Sequence, residues 1–453
     1  MSISVSPRPH LLVRRLWMTK TVRGFFCAPS QRETGYMAKE RGALKSVLYG
    51  TSEKNRIMAA ANAPNGIACF TSVEAAVQKL LPDKPLYCMH PDEIKEAATL
   101  FLKHFSGKTF YAVKSNPDKY VLQQLGSAGI CHFDVASMDE IRLIKGLFPE
   151  SCLAFMNTVK AREAISASYY DYGVRTFVFD SFQELQKIRQ ETNDATDLNL
   201  FVRLALPKGS ALHPLSEKFG ASPELAVSLL QEASLKSRRL GLSFHVGSQT
   251  MNPNSYIFAL ELTQRVLREA NVKLDILDIG GGFPVPSSNN KVPPLANYLE
   301  IIQNEIKTMG LSKDCELWAE PGTALCGRST TLILRVELRK DDALHLNDGG
   351  YGALFDCCWL KVHKDMRVIY AKDNSPANDP AQKAFKLYGP TCDSSDAILG
   401  PIYLPDDIEE GDFIAVSNMG AYGMAMQSGF NGFYSDKKVE IISSPDPKVM
   451  TLI

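Results

Sequence analysis

Lys114 is the first residue whose position suggests chemistry. It follows the strand-like run Phe110-Tyr111-Ala112-Val113 and precedes Ser115-Asn116-Pro117, where Pro117 pushes Asn116 out of the helical region and closes the element in a turn. An amine at the C-terminal mouth of a strand, partly desolvated, is expected to lose some preference for its charged form, which a Schiff-base lysine needs. The plainer alternative is a lysine ending its strand in solvent. Gly280-Gly281-Gly282 directly follows Leu277-Asp278-Ile279. Three glycines at a strand-to-helix turn let backbone N–H groups approach a phosphate closely, although a tight turn alone also calls for glycine. Glu320, in Glu320-Pro321-Gly322, is either a turn acid in water or, beside such a lysine and phosphate site, the anion that keeps a pyridinium nitrogen protonated. His245, in Phe244-His245-Val246-Gly247-Ser248, is either a hydrogen-bonded core histidine or a flat ring that stacks on a cofactor.

These residues need strands that end together. Apolar strand-like runs recur at 109–113, 130–136, 152–156, 176–179, 198–206, 242–246, 276–279 and 316–319, separated by helical patterns such as 140–147, 181–191, 223–233 and 255–270. Eight strands alternating with helices predict an α/β fold, a closed (β/α)8 TIM-like barrel, with an open doubly wound sheet as the alternative. The polar residues favour the barrel. Lys114, Asp134, Ser137, His245, Ser248, the three glycines and Glu320 all fall at strand ends, which converge on one face only when the sheet closes. Beyond Arg328 the pattern changes to strands between Gly, Pro and Asp turns, at 330–338, 365–370, 384–387 and 412–417. The expected organisation is a basic, disordered N-terminal extension over 1–57, a barrel over 90–328, and a mostly-β domain built from 58–89 and 329–453.

With 50 basic and 50 acidic residues, the balance gives no reason to expect nucleic acid or a membrane surface as partner. A small molecule is the better expectation. Eleven of the basic residues and only three of the acidic ones fall in residues 1–57. Such a start suits an organelle transit peptide, or a true start downstream at Met18, Met37 or Met58, of which Met58 is preferred. No apolar run approaches the ~18 residues of a membrane span. The ten cysteines show no Cys-x-x-Cys and no zinc spacing, which predicts a reducing, cytoplasmic setting and no metal; Cys131 and Cys152 are expected to be buried.

From about Pro85 to Phe433 the chain resembles the fold type III pyridoxal-phosphate-dependent decarboxylases of the ornithine/lysine branch. The resemblance rests on FYAVKSN, FDVAS, HVGSQ, LDIGGGFP, EPG, DGGYG, GPTCDSSD, NMGAY and FNGF in that order. It implies a homodimer with shared active sites, pyridoxal 5'-phosphate as cofactor, and decarboxylation of ornithine or lysine to a diamine such as putrescine or cadaverine. On the same basis Lys114 matches the Schiff-base lysine, His245 the ring-stacking histidine and Glu320 the pyridinium partner. Ser248, Gly280, Gly281, Gly282 and Tyr422 match the phosphate binders, and Asp134 and Arg203 positions near the ring. Cys392 matches the thiol that protonates the product carbon, and Asp393, with Asp356 and Phe430, the surroundings of the substrate's distal amine.

Two departures stand out. Thr323 occupies the place after Glu-Pro-Gly where the family usually has a phosphate-binding arginine, with Arg328 out of register. Trp359-Leu360 replaces a common Tyr-Asp pair, leaving Asp356 as the nearest acid. The alternatives are a decarboxylase for diaminopimelate or carboxynorspermidine, a racemase, or a non-catalytic homologue that regulates a partner. Asp393 and Asp396 disfavour substrates with a second carboxylate.

Overall fold

The eight runs form the strands Lys108–Ala112, His132–Val135, Cys152–Phe155, Thr176–Phe179, Asn199–Leu204, Arg239–Phe244, Ile276–Asp278 and Glu316–Ala319. All are parallel, each lies beside its neighbours in sequence, and the last pairs with the first, so the sheet closes into a barrel rather than remaining open. This is a computed structural model, and it describes residues 66–207, 211–213, 218–288, 291–371 and 380–442. The expectation for residues 1–57 lies outside the described residues.

Strand alternation divides the side chains between two cores. Phe110, Ala154, Val178, Phe201, Ile276 and Trp318 point inward, with Phe110 stacked on Trp318 at 4.2 Å between ring centroids. They fill the barrel interior, so its mouth is a basin with a floor rather than a channel. Gly241 leaves room for this packing, since a Cβ there would meet the Phe201 ring at 2.4 Å. The other face of each strand, Tyr111, Phe133 and Val202 among them, packs on the surrounding helices. Those helices begin on side-chain caps. Ser137, Ser181 and Ser222 accept the amides of Glu140, Glu184 and Leu225, so Ser137 is a helix cap rather than a reacting group.

The second domain brings segments from both ends of the described residues into one sheet. Leu86–Met89 pairs antiparallel with Thr330–Lys340 and parallel with Lys438–Ile441. Leu86 and Cys88 pack on the helix Val73–Leu80, while Tyr87 and Met89 face the main core. Phe413–Val416 and Met366–Ile369 extend the sheet on one side. Ala343–Leu346, Gln382–Tyr388 and Ala397–Pro405 extend it on the other. Cys131 and Cys152 are exposed, contrary to expectation. Cys152 opens its strand and Cys131 immediately precedes His132, so both lie on the rim where strands start. Among the described residues no helix is long and apolar enough to cross a membrane.

Candidate active site

The first barrel strand ends at Ala112, and Val113–Ser115 forms one 3-10 turn that lifts Lys114 into the mouth. Asn116 then takes an extended backbone, φ −161°, as Pro117 demands. This turn is clamped by the second domain. The Asn116 side chain donates to the Gly420 carbonyl at 2.6 Å, and the Tyr422 amide donates to the Ser115 carbonyl at 2.8 Å. Tyr422 holds φ +64°, an unusual backbone for a large residue, and the clamp keeps it there.

Lys114 Nζ donates to Asp134 Oδ2 at 2.6 Å, and Asp134 is only 2% exposed. Burial opposes the charge on Lys114, but the Asp134 carboxylate beside it outweighs that and holds the amine above its ordinary range. The sequence reading expected the reverse. The correction follows from Asp134, which a desolvation argument about the lysine alone leaves out.

Two more acids end the seventh and eighth strands, the eighth being paired with the strand that leads to Lys114. Asp278 ends the seventh strand with Oδ1 accepting the Gly280 amide at 2.8 Å, while its Oδ2 and the Oε1 of Glu320 are buried without a hydrogen-bond partner. Burial pushes the Asp278 carboxyl up to about 6. Burial, and then the neighbouring Asp278 and Asp134, push Glu320 well above the carboxylate range. Like charges this close do not ionise together, so the pair retains a proton. A ring N–H placed beside Glu320 Oε1 would satisfy the orphaned oxygen.

Burial first, then the positive charges of Arg203 and Lys114, lower the His245 pKa to about 3, and the imidazole is neutral. Its Nδ1 accepts the Gly247 amide at 3.0 Å, so the remaining proton sits on Nε2 and the ring orientation is fixed. Arg203, on the fifth strand, lies over the Phe219 ring at 5.6 Å. The glycine turn is tied down through its carbonyls. Gly280 accepts from the Glu320 amide, Gly281 from the Tyr256 hydroxyl and Gly282 from the Thr250 amide. Because N–H and C=O point opposite ways across a trans peptide, the following amides, of Gly281, Gly282 and Phe283, turn away from those anchors. A Cβ on Gly281 would strike the Glu320 carbonyl at 2.5 Å, and one on Gly282 the Gly247 carbonyl at 2.4 Å. Ser248 opens the short strand Ser248–Thr250 alongside. An amine, an orphaned acid oxygen, a flat neutral ring and a turn of outward amides are the donor set that pyridoxal 5'-phosphate requires.

Cys392 and Asp393 belong to a second cluster. The Tyr351 hydroxyl and the Ser395 amide donate to Asp393, and these bonds hold its carboxyl below the usual range. The Phe430 ring lies 4.7 Å from that of Tyr351, and Asn431 Oδ1 accepts the Cys392 amide at 3.1 Å. Among the described residues no hydrogen bond or ion pair joins this cluster to Lys114. Asp356 lies in the short helix Phe355–Cys358, and its charge adds to burial in raising the Tyr422 hydroxyl. Arg328 is committed to Glu93 at 2.6 Å.

Sequence reading missed two positioning acids. Asp278 was hidden inside an apolar strand and Asp396 in an acidic run. Asp396 is 2% exposed and accepts from the Gly350 amide at 2.6 Å and the Thr391 hydroxyl at 2.7 Å. It thereby joins the two turns that carry Tyr351 and Cys392. A low-charge strand ending in Asp before three glycines was the available signal for Asp278.

Residues 91–327 match the sequence family described as the pyridoxal binding domain of pyridoxal-dependent decarboxylases. The chain is 33% identical over 359 residues to the lysine/ornithine decarboxylase of Selenomonas ruminantium, across 76% of this chain and 86% of that one. It is 33% identical over 348 residues to the ornithine decarboxylase of Schizosaccharomyces pombe, across 73% and 77%. Among solved structures it matches the lysine/ornithine decarboxylase of Vibrio vulnificus complexed with cadaverine, with a TM-score of 0.71 and 29% identity over 82% of this chain and 97% of that one. It also matches the arginine decarboxylase of Paramecium bursaria Chlorella virus bound to agmatine, with a TM-score of 0.72 and 27% identity over 81% and 100%.

Proposed function

This chain belongs to the pyridoxal-dependent decarboxylases, in the family of the ornithine and lysine/ornithine enzymes, and from that premise we propose that it removes the α-carboxylate of ornithine or lysine to leave putrescine or cadaverine. The observation that carries the proposal is the buried, unpartnered Glu320 Oε1 at the same mouth as the Lys114 amine. When bound, pyridoxal 5'-phosphate supplies an aldehyde for the substrate amine and a ring that accepts the electrons left as carbon dioxide departs.

The protein's residues do the rest. Lys114 presents its amine, and Asp134 2.6 Å away takes up or returns the amine's proton. Glu320 and Asp278 hold a proton at the mouth, and Glu320 is the acid that would face the ring nitrogen of a bound cofactor. His245, neutral and fixed by Gly247, is the flat side chain that would stack on the cofactor ring without adding a competing charge. The glycine amides, Ser248 and Tyr422 would hold the phosphate, and Arg203 and Asp134 would stand near the ring. Cys392 returns a proton to the carbon that lost its carboxylate. Asp393, kept charged by Tyr351 and Ser395, receives the substrate's distal ammonium, with Phe430 beside it.

Because the Cys392 cluster makes no bond to Lys114 in one chain, we place it at the mouth of a second copy in a homodimer with shared sites. The exposed Trp359, Phe430, Phe433 and Tyr434 support such a contact. The nine free cysteines among the described residues support a reducing, cytoplasmic setting. The test is carbon dioxide release by purified protein over ornithine, lysine, arginine and diaminopimelate. Release from ornithine or lysine above the other two is expected, and preferential release from diaminopimelate would overturn the substrate assignment.

A further inference from the structure

A phosphate dianion leaving water for this mouth needs positive charge as well as amides. Two of the nearby cations are otherwise engaged: Lys114 is bound to Asp134, and Arg328 is paired with Glu93. At the start of the helix Thr323–Cys326, one residue after Gly322, stands a threonine with no charge to offer.

Beside it a small cavity of about 30 Å³ is lined by Gln249, Val285, Thr323, His363, Lys364 and Asn418, among others. Its position is informative. Gln249 adjoins Ser248, Val285 lies three residues beyond Gly282, and Thr323 opens the short helix, so the cavity borders the phosphate end of the basin. It is too small for a phosphate but has room for about one water or an ammonium group.

The segment that carries Lys364 is fastened to this side of the barrel. Asp365 accepts from the amide and hydroxyl of Ser288, and the Asn418 side chain donates to the Pro286 carbonyl at 3.2 Å. Lys364 Nζ donates to the Asn418 carbonyl at 2.8 Å, and its charge reaches the buried Cys326 thiol at the far end of the short helix. Lysine is a point charge on a flexible stem, suited to moving from one acceptor to another.

We propose that Lys364, carried by the second domain, supplies the positive charge for the cofactor's phosphate by extending across this cavity towards the glycine turn. The proposal rests on the cofactor reading above. It makes the strand-bearing domain part of the cofactor site, beyond the clamp at Tyr422.

The test compares pyridoxal 5'-phosphate with phosphate-free pyridoxal, each titrated into full-length protein stripped of cofactor and followed by visible absorbance. In wild type the phosphate should give a strong preference. Lys364→Met should weaken binding of the phosphorylated form by about 10- to 100-fold, the value of one charge-assisted hydrogen bond, and leave pyridoxal unchanged. Lys364→Arg should keep the preference, and Thr323→Arg should restore it in Lys364→Met. An unchanged preference in Lys364→Met, or an equal loss for both ligands with Lys364→Arg equally impaired, would overturn the role of Lys364. If wild type bound neither ligand, the cofactor reading would fall and this proposal with it.

Discussion

Replacing Asp278 with asparagine should stabilise the cofactor-free protein, and increasingly so as pH rises. Asp278 is 1% exposed, and its neighbour Glu320 is held protonated. Its folded pKa is raised from 3.8 to about 6. The folded protein therefore binds this proton more tightly than the unfolded chain. The resulting stability is fully present below the unfolded pKa and is lost as pH rises through the folded one. In full that loss is about 3 kcal/mol, of which roughly half falls between about pH 5 and about pH 8. Asparagine keeps an oxygen for the Gly280 amide, adds a donor for Glu320 and has nothing to ionise. Lowering the cost of ionising Glu320 acts in the same direction. Urea unfolding of wild type and Asp278→Asn at both pH values measures the difference directly. The variant's advantage should grow by on the order of 1 kcal/mol from about pH 5 to about pH 8. An advantage that shrinks or reverses would mean the site favours the Asp278 anion, and the shared-proton description would be wrong.

Cys392→Ala should lower turnover by about 10²- to 10⁴-fold with far less change in substrate binding, since a proton donor acts after the carboxylate leaves; steady-state and binding measurements separate the two. Asp393→Ala should raise the Michaelis constant for the preferred diamino acid and shrink its advantage over norleucine, which lacks the distal ammonium; an unchanged ratio would remove Asp393 from substrate recognition. Protein synthesised from Met58 should fold and retain activity, as the first described strand begins at Cys69, and an insoluble product would contradict this.

Periodicity made the barrel legible because each strand carries its own alternating apolar run. Thr176–Phe179 and Glu316–Ala319 have the bounds read from sequence, and the other six differ by a few residues at their ends. Ala397–Pro405 was not legible, because Gly400-Pro401 reads as a turn. It pairs with Gln382–Tyr388 across a register shift between Phe385 and Leu387, which accommodates Gly400 at φ +72°. Lys114, Glu320, His245 and the glycines could be singled out because strand ends are where barrels put chemistry. The charge on Lys114 could not be read, since it depends on Asp134, twenty residues away and brought beside it only when the first two strands pair. The same limit hid Asp278 and Asp396. Each is a buried acid whose role lies in contacts made by the folded turns, and a run such as Cys392-Asp393-Ser394-Ser395-Asp396 does not reveal which acid faces substrate and which holds the turn.

The central claim is that one lysine, Lys114, carries the cofactor. Borohydride reduction of the purified holoprotein, followed by peptide mass mapping, makes the cofactor link permanent and locates it. The reduced cofactor is expected on Lys114, with the visible absorption band lost on reduction and absent from Lys114→Ala before it. A label on another lysine, or a Lys114→Ala variant that keeps both the band and normal turnover, would contradict the account.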